Sequence, residues 1–185
     1  ASGSTLADAL KGSPNDSMYY RLVVKAGLVN TLNSRINYFT MFVPDNAAVK
    51  QFISAASGGL VPINAPDAVF YGFIANQINQ ATAAGIVSYN TIPDTVPAAA
   101  LPASFPNLQY PTIINPAPTV SPLIRLTTFP SGRNGAWINN IPVTVPNRRV
   151  ANGIIHNIYA VNLPPTQYLW DRINNDADLT ILKAA

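Results

Sequence analysis

Residues 152–165, with the sequence NGIIHNIYAVNLPP, carry the strongest fold signal in this chain. The segment begins with Asn152-Gly153, a dipeptide that is typical of tight turns with positive φ. It continues as a run of β-branched and other apolar residues, and it ends at two prolines, which cannot donate hydrogen bonds to a neighbouring strand. A run this apolar predicts a β-strand that is buried on both faces.

The only histidine of the chain, His156, lies in the middle of this predicted strand. An unpaired polar group inside a buried strand costs about 1–3 kcal/mol, so the imidazole needs hydrogen-bond partners. A catalytic base must reach its substrate, and the sequence contains no Gly-x-Ser-x-Gly nucleophile elbow. We therefore expect a structural histidine whose ring bonds backbone or polar atoms near residues 40–46. The alternative is a general base in an enzyme.

The composition is rich in neutral polar residues and poor in charge. Charged residues make up 10% of the 185 residues, against roughly 25% in an ordinary globular domain. Cysteine is absent, which excludes disulfides and thiolate metal sites. Between Asp94 and Asp171 the only charged residues are four scattered arginines, a weak signal for nucleic-acid binding. The sequence has no run of about 18 apolar residues, so it predicts no membrane span. The start resembles a trimmed end, from which a signal peptide or lipid anchor could have been removed.

Short helices and one compact strand are predicted for the first half of the chain. Capping residues and apolar spacing predict helices over 5–12 and 16–26 and a further helical turn over 28–33. The apolar run over 38–43 predicts a strand that ends at Pro44, and Asp45 is expected to cap the helix that follows. Asp67 is expected to cap one more helix, which continues to about residue 80.

A change of composition marks residues 93–122, which hold eight of the 17 prolines and a single charge, Asp94. Because proline excludes helix, this segment predicts an extended surface excursion around short strands. Alternating residues over 123–129 then predict a strand. Residues 136–145 predict a bent strand or hairpin with Asn139-Asn140 at its tip.

The tail, residues 166–185, carries helical patterns that echo the beginning of the chain. Leu169, Asp171 and Ile173 repeat the spacing of Leu6, Asp8 and Leu10. Two interpretations remain open: the tail begins a second repeat, or it is a C-terminal helix that packs on the same domain. Either way, the sequence predicts one domain over 1–165, with the proline-rich segment as an expanded loop region.

Two segments together resemble the signature segments of the fasciclin-like domain family, FAS1. Residues 40–49, TMFVPDNAAV, resemble its strand-Pro-helix segment, and residues 152–165 resemble its Asn-Gly-x-x-His strand ending in Leu-Pro-Pro. The resemblance implies an α+β fold, a FAS1-like β-sandwich or wedge with helices packed at its side. The residues that match these motifs, for which we expect structural roles, are Thr40, Phe42, Pro44, Asp45, Asn46, Asn152, Gly153, His156, Leu163 and Pro164.

The same resemblance implies an extracellular or cell-surface adhesion module with no catalytic, cofactor-binding or metal-binding residues. Its implied partners are a cell-surface or matrix protein, a glycan or a neighbouring FAS1 domain. A Tyr-His pair that some family members use in receptor adhesion is missing at the nearest position, Ala75-Asn76. Two alternatives stay open: an extracellular hydrolase with His156 as its base, and a structural subunit of a surface assembly.

A binding surface is suggested by aromatic side chains in a chain rich in asparagine, because rings and amides together suit glycans. Trp137, Phe105, Tyr110 and Tyr89 are the candidate rings, although core packing is expected to claim at least half of them. Arg148-Arg149 either holds an anionic polymer or forms a solvated strand edge. The candidate binding residues are Phe105, Tyr110, Trp137, Arg148 and Arg149.

Overall fold

Short helices precede and flank a mixed sheet in this computed structural model, which describes residues 3–104, 108–166, 175 and 177. Predictions for Phe105 and for most of the tail 166–185 lie outside the described residues. The helices are α1 (Leu6–Gly12), α2 (Ser17–Ala26), α3 (Val29–Leu32), α4 (Asn46–Ala56), α5 (Asp67–Asn76) and α6 (Gln80–Tyr89). The strands are β1 (Phe39–Pro44), β2 (Thr91–Ile92), β3 (Tyr110–Pro111), β4 (Thr127–Thr128), β5 (Pro130–Ser131), β6 (Trp137–Ile138), β7 (Ile141–Val150) and β8 (Gly153–Ile158).

Local capping residues set the bounds of the first helices, as the sequence predicts. Thr5 caps α1 in a capping box with Asp8, in which each side chain accepts a hydrogen bond from the other residue's backbone N–H. Gly27 ends α2 in the left-handed conformation, with φ 74°. Asp45 caps α4 by accepting a hydrogen bond from the Ala48 N–H at 2.8 Å.

The single helix predicted from Asp67 to about residue 80 is wrong, because the structure contains two. Helix α5 ends at Asn76, and α6 begins at Gln80. Asn79 is the N-cap of α6, and its side chain accepts a hydrogen bond from the Thr82 N–H at 2.8 Å. Asp67 is the first residue of α5 and not its N-cap.

The sheet has the strand order β2-β1-β8-β7-β6-β5, so the two signature segments are neighbours at its centre. Strands β1 and β8 run parallel, and every residue of both is buried. In this register Phe42 lies opposite His156. The prediction of a doubly buried strand at residues 152–165 is therefore confirmed for β8.

The two faces of this central pair contribute to different parts of the core. Phe39, Met41 and Val43 pack among the helices, whereas Phe42 and Ile158 pack with residues of the hairpin β6–β7 and of the segment after β2. Successive side chains of a strand point to opposite faces, which explains the division. His156 shares the parity of Ile158, so its ring lies on the second face.

One strand prediction and one turn prediction need correction. The strand over 123–129 is reduced to β4, which pairs with β3 in a separate two-stranded sheet. Neither Asn152 nor Gly153 has positive φ, and Gly153 is the first residue of β8. By contrast, the hairpin tip at Asn139-Asn140 is confirmed, with φ 46° and 68°, as the turns that match strand twist require.

Candidate functional site

His156 is completely buried, and both nitrogens of its ring are bonded. Nδ1 accepts a hydrogen bond from the Asn147 backbone N–H at 3.1 Å. Because Nδ1 is an acceptor, the ring proton is on Nε2, which donates to the Val96 carbonyl at 2.9 Å. The imidazole also stacks on Phe42, with 5.4 Å between ring centroids. In this geometry the ring has no atom free to act on a substrate.

The partners of His156 differ from the expectation that they lie near residues 40–46. That segment supplies the stacked ring of Phe42, but the hydrogen bonds go to β7 and to the chain after β2. Thr40 acts indirectly: its hydroxyl donates to the Asp94 carbonyl at 2.7 Å and accepts from the Val96 N–H at 2.8 Å. Thr40 thereby positions the segment whose carbonyl His156 bonds.

Burial lowers the pKa of His156 below its ordinary value, because the apolar surroundings disfavour the imidazolium. The bond to the Val96 carbonyl acts in the opposite direction, and burial is the larger effect. A neutral ring also suits the geometry, since a proton on Nδ1 would face the N–H of Asn147. His156 therefore links three segments of backbone as a neutral residue.

The asparagines of the two signature segments make similar links. Asn152 accepts a hydrogen bond from the Leu6 N–H at 2.8 Å and donates to the carbonyls of Leu32 and Ser34. Asn46 accepts from the Met18 N–H at 2.9 Å and donates to Pro14 and Ser17. Both amides satisfy backbone groups at helix ends, where unpaired groups are costly.

At the C-terminal end of the second segment, the two remaining motif residues lie beyond β8. Leu163 is exposed, whereas Pro164 lies beside Gly85 of α6. This end of the motif therefore reaches the helical side of the domain.

Arg148, a candidate for holding an anionic polymer, is engaged within the fold. Its guanidinium lies 2.7 Å from Asp16 Oδ2 and 2.7 Å from Asn157 Oδ1. Asp16 is completely buried and also accepts from Asn157 Nδ2 at 2.8 Å. Asp16 occupies the N-cap position of α2, but its carboxylate makes no capping bond to this helix. The neighbouring Arg149 is exposed, and its side chain has no hydrogen bond or ion pair within the described part of the chain.

The candidate aromatic residues that the structure describes, Tyr89, Tyr110 and Trp137, have different environments. Tyr89 is buried, and its hydroxyl donates to the Thr127 carbonyl and accepts from Asn139. Tyr110 is partly buried against the second part of the core. Among these three described rings, Trp137 lines a surface groove.

This groove, which we call the Trp137 groove, has a volume of about 680 Å³. Trp137 shares it with Phe129, whose side chain is 45% exposed and which was not among the predicted binding residues. Arg133 adds a positive charge at the same place. The residues that line the groove are Phe129, Ser131, Arg133, Asn134, Trp137, Asn139 and Asn140.

The polar side chains of the Trp137 groove fall into two groups. Asn139 belongs to the scaffold, since its Oδ1 accepts from the Phe129 N–H at 2.8 Å and its Nδ2 donates to Tyr89 at 2.9 Å. Arg133, Asn134 and Asn140 are exposed, and within the described residues their side chains make no hydrogen bond. One cation and two amides beside two aromatic rings are therefore available to a ligand.

Metal and membrane signals are absent from the described residues. No group of three or more His, Asp or Glu side chains there is arranged to hold a metal ion. None of the helices described has the length and apolar character to cross a bilayer.

The fold and its buried signature strands define an α+β domain of the fasciclin class. The Fasciclin domain model matches residues 14–164, and the chain belongs to this family. Fasciclin domains are adhesion-related modules of extracellular and cell-surface proteins. The family match also agrees with the resemblance found in residues 40–49 and 152–165.

One similar solved structure is the FAS1 domain pair of the insect cell adhesion molecule fasciclin I. It has 20% sequence identity to this chain and a TM-score of 0.62, over 87% of this chain and 51% of that structure. The chain thus spans about half of the domain pair, and the likeness shows the fold. No curated protein sequence matches the chain.

Proposed function

We propose that this chain is a non-catalytic, extracellular adhesion module that binds a surface or matrix polysaccharide through the Trp137 groove. The observation that carries the proposal is the placement of two partly exposed aromatic rings beside unengaged amide and guanidinium groups. Aromatic faces stack on the apolar faces of sugar rings, while amides bond their hydroxyls.

Charge favours a polysaccharide that carries acidic groups. Arg133 lies in the groove, and no aspartate or glutamate occurs in the sequence between Asp94 and Asp171. A guanidinium pairs well with planar carboxylates, and a site without acids does not repel them. An acidic glycan is therefore the expected ligand, with neutral glycans as weaker competitors.

The hydrolase alternative depends on an accessible His156. The ring is buried and both of its nitrogens are hydrogen-bonded, so it gives this alternative no support. A tandem arrangement remains a prediction, because most of the tail lies outside the described residues. The fasciclin I domain pair supports it as a precedent for adjacent FAS1 domains.

A structural subunit of a surface assembly is a second candidate function, and exposed apolar residues in and next to the proline-rich segment favour it. Leu108, Val120 and Leu123 are 54%, 76% and 84% exposed. Apolar side chains exposed in one region often mark an interface with another protein. Concentration-dependent self-association that is lost in Leu123→Ser would support this candidate.

The polysaccharide proposal is tested by measuring the binding of polygalacturonate and of a neutral glucan to the intact chain. Trp137→Ala and Phe129→Ala are each expected to weaken binding roughly 3- to 10-fold. Tyr159→Ala is the matched control, because it removes an exposed ring that does not line the groove. Thermal melts of each variant separate a lost contact from a lost fold.

The charge contribution has its own matched pair of variants. Arg133→Gln is expected to weaken binding of polygalacturonate and to reduce its dependence on salt, whereas Arg149→Gln removes an exposed arginine outside the groove. Equal effects of the two would contradict a specific role for Arg133. Wild-type binding in both Trp137→Ala and Phe129→Ala would contradict the groove itself.

A further inference from the structure

The chain contains two Asn-Gly pairs, Asn134-Gly135 and Asn152-Gly153. In such a pair the asparagine side chain can react with the backbone nitrogen of the next residue, because glycine has no Cβ to obstruct the approach. The reaction requires that the side-chain amide and the backbone N–H are both free to meet. The structure places the two pairs in opposite environments.

Asn134-Gly135 lies in the exposed turn between β5 and β6. Both residues are exposed, with φ of 54° and 117°. Within the described residues, neither the Asn134 side chain nor the Gly135 N–H makes a hydrogen bond. The two reacting groups are therefore held only by the turn.

Asn152-Gly153 is held in place by the fold. The Asn152 amide is completely buried and makes three hydrogen bonds to backbone groups. Gly153 is held in β8 directly against Phe39. The amide of Asn152 cannot turn toward the Gly153 nitrogen without breaking these bonds.

We propose that Asn134 is a site of spontaneous deamidation in the folded protein. The Gly135 nitrogen attacks Cγ of Asn134 and forms a five-membered succinimide. The bond from Cγ to Nδ2 breaks, and Nδ2 leaves as ammonia, which carries away the proton lost from the Gly135 nitrogen. Water then adds to either carbonyl of the ring and opens it to aspartate or isoaspartate, with no change of oxidation state.

The modification changes the charge of the Trp137 groove. It places a carboxylate next in sequence to Arg133, in a region of sequence that otherwise lacks acidic residues. The isoaspartate product also lengthens the backbone of the turn whose carbonyl accepts the Trp137 Nε1–H. Weaker binding of an acidic glycan by modified protein rests on the proposed function, whereas the modification itself does not.

The test is to incubate the intact chain in heavy-oxygen water at mildly alkaline pH and to follow both Asn-Gly peptides by mass spectrometry. The peptide with Asn134 is expected to gain a carboxyl group that contains solvent oxygen. Asn152 must react through an open state that is populated about one part in a thousand or less, so it is expected to react at least about a thousandfold more slowly.

Unfolding and substitution of Asn134 provide two controls. In urea both pairs are expected to react at similar rates, which shows that the fold protects Asn152. Asn134→Gln is expected to remove the rapid reaction, because a glutamine would need a larger ring. An unmodified Asn134 in the folded protein, or equal rates at the two positions before unfolding, would overturn the proposal whether or not any glycan binds.

Discussion

Gly153 lies so close to Phe39 that a Cβ on the glycine would be 1.9 Å from the Phe39 carbonyl oxygen. The two residues are paired in the parallel register of β1 and β8, at the centre of the sheet. This close backbone approach is the reason that a glycine is required here. Backbone conformation is not the reason, because the φ of Gly153 is not positive.

Gly153→Ala is expected to destabilise the domain by at least about 3 kcal/mol, because the added methyl group must separate the two central strands. Denaturant unfolding monitored by circular dichroism measures the change. Gly72→Ala is the matched control. Gly72 lies in α5, and a Cβ added there would have no neighbouring atom within 4 Å, so alanine is expected to stabilise by up to about 1 kcal/mol. Equal stability of the two variants would contradict the role assigned to Gly153.

The pKa of His156 predicts a pH dependence of stability. Burial lowers this pKa in the folded state, so the unfolded chain binds a proton first as pH falls below about 6.5. The contribution is fully present above that pH and is lost as pH falls toward the folded pKa, with a slope of up to about 1.4 kcal/mol per pH unit. Urea midpoints measured between neutral and mildly acidic pH test this.

His156→Gln provides the comparison, because it keeps polar atoms but cannot titrate. Since His156 is the only histidine, the variant is expected to be less stable at neutral pH. Its stability is also expected to lose most of its dependence on pH between neutral and mildly acidic conditions. A slope that survives unchanged in His156→Gln would assign the dependence to another group.

The buried carboxylate of Asp16 predicts unequal roles for two adjacent arginines. Arg148→Ala leaves the buried carboxylate of Asp16 without its cation. The variant is expected to lower the free energy of unfolding by up to about 3 kcal/mol, because the site of Arg148 is partly exposed to water. Arg149→Ala removes an exposed side chain and is expected to change stability by less than about 0.5 kcal/mol. Denaturant unfolding of the two variants gives the comparison, and similar losses would contradict the structural role of Arg148.

The tip of the β6–β7 hairpin predicts opposite effects for two neighbouring asparagines. Both have positive φ, where glycine relieves a cost of roughly 1 kcal/mol. Asn140 is exposed and its side chain is unbonded among the described residues, so Asn140→Gly is expected to be neutral or stabilising. Asn139→Gly also removes the bonds to Phe129 and Tyr89 and is expected to destabilise by about 1–2 kcal/mol. Thermal unfolding of both variants checks the order.

Much of the secondary structure could be predicted because its causes are local. Thr5, Asp45 and Gly27 act within one helical turn, and the apolar runs that form β1 and β8 are continuous in sequence. The break between α5 and α6 was not predicted, because Ile78 continues the i, i+4 spacing of Phe70 and Ile74, although the residues on either side of it are polar. The strand expected over 123–129 is shorter, because the fold places a partner strand, β3, only beside Thr127 and Thr128. The local sequence does not show which residues will have a partner.

The candidate site was harder to predict, because it is assembled from separate pieces. Trp137 is predicted from the sequence as a candidate binding ring, but Phe129 and Arg133 join it only when β5 and β6 pair. The asparagines on either side of β6, Asn134 and Asn139-Asn140, are of a residue type that is common in turns. Nothing in their local sequence showed that the two turns border one groove.

Local sequence was sufficient to establish the family, the central apolar strands and the helix caps, because these depend on neighbouring residues and on continuous motifs. Only the folded chain decides which polar side chains form hydrogen bonds or ion pairs. Arg148 meets Asp16 across 132 positions of the chain, while Arg149 stays exposed. The sequence predicts that His156 needs hydrogen-bond partners, but the fold supplies them: Val96 from 60 positions away and Asn147 from the neighbouring strand β7. Burial and pairing depend on what folding brings together from distant positions, and the residues next to a side chain do not encode that.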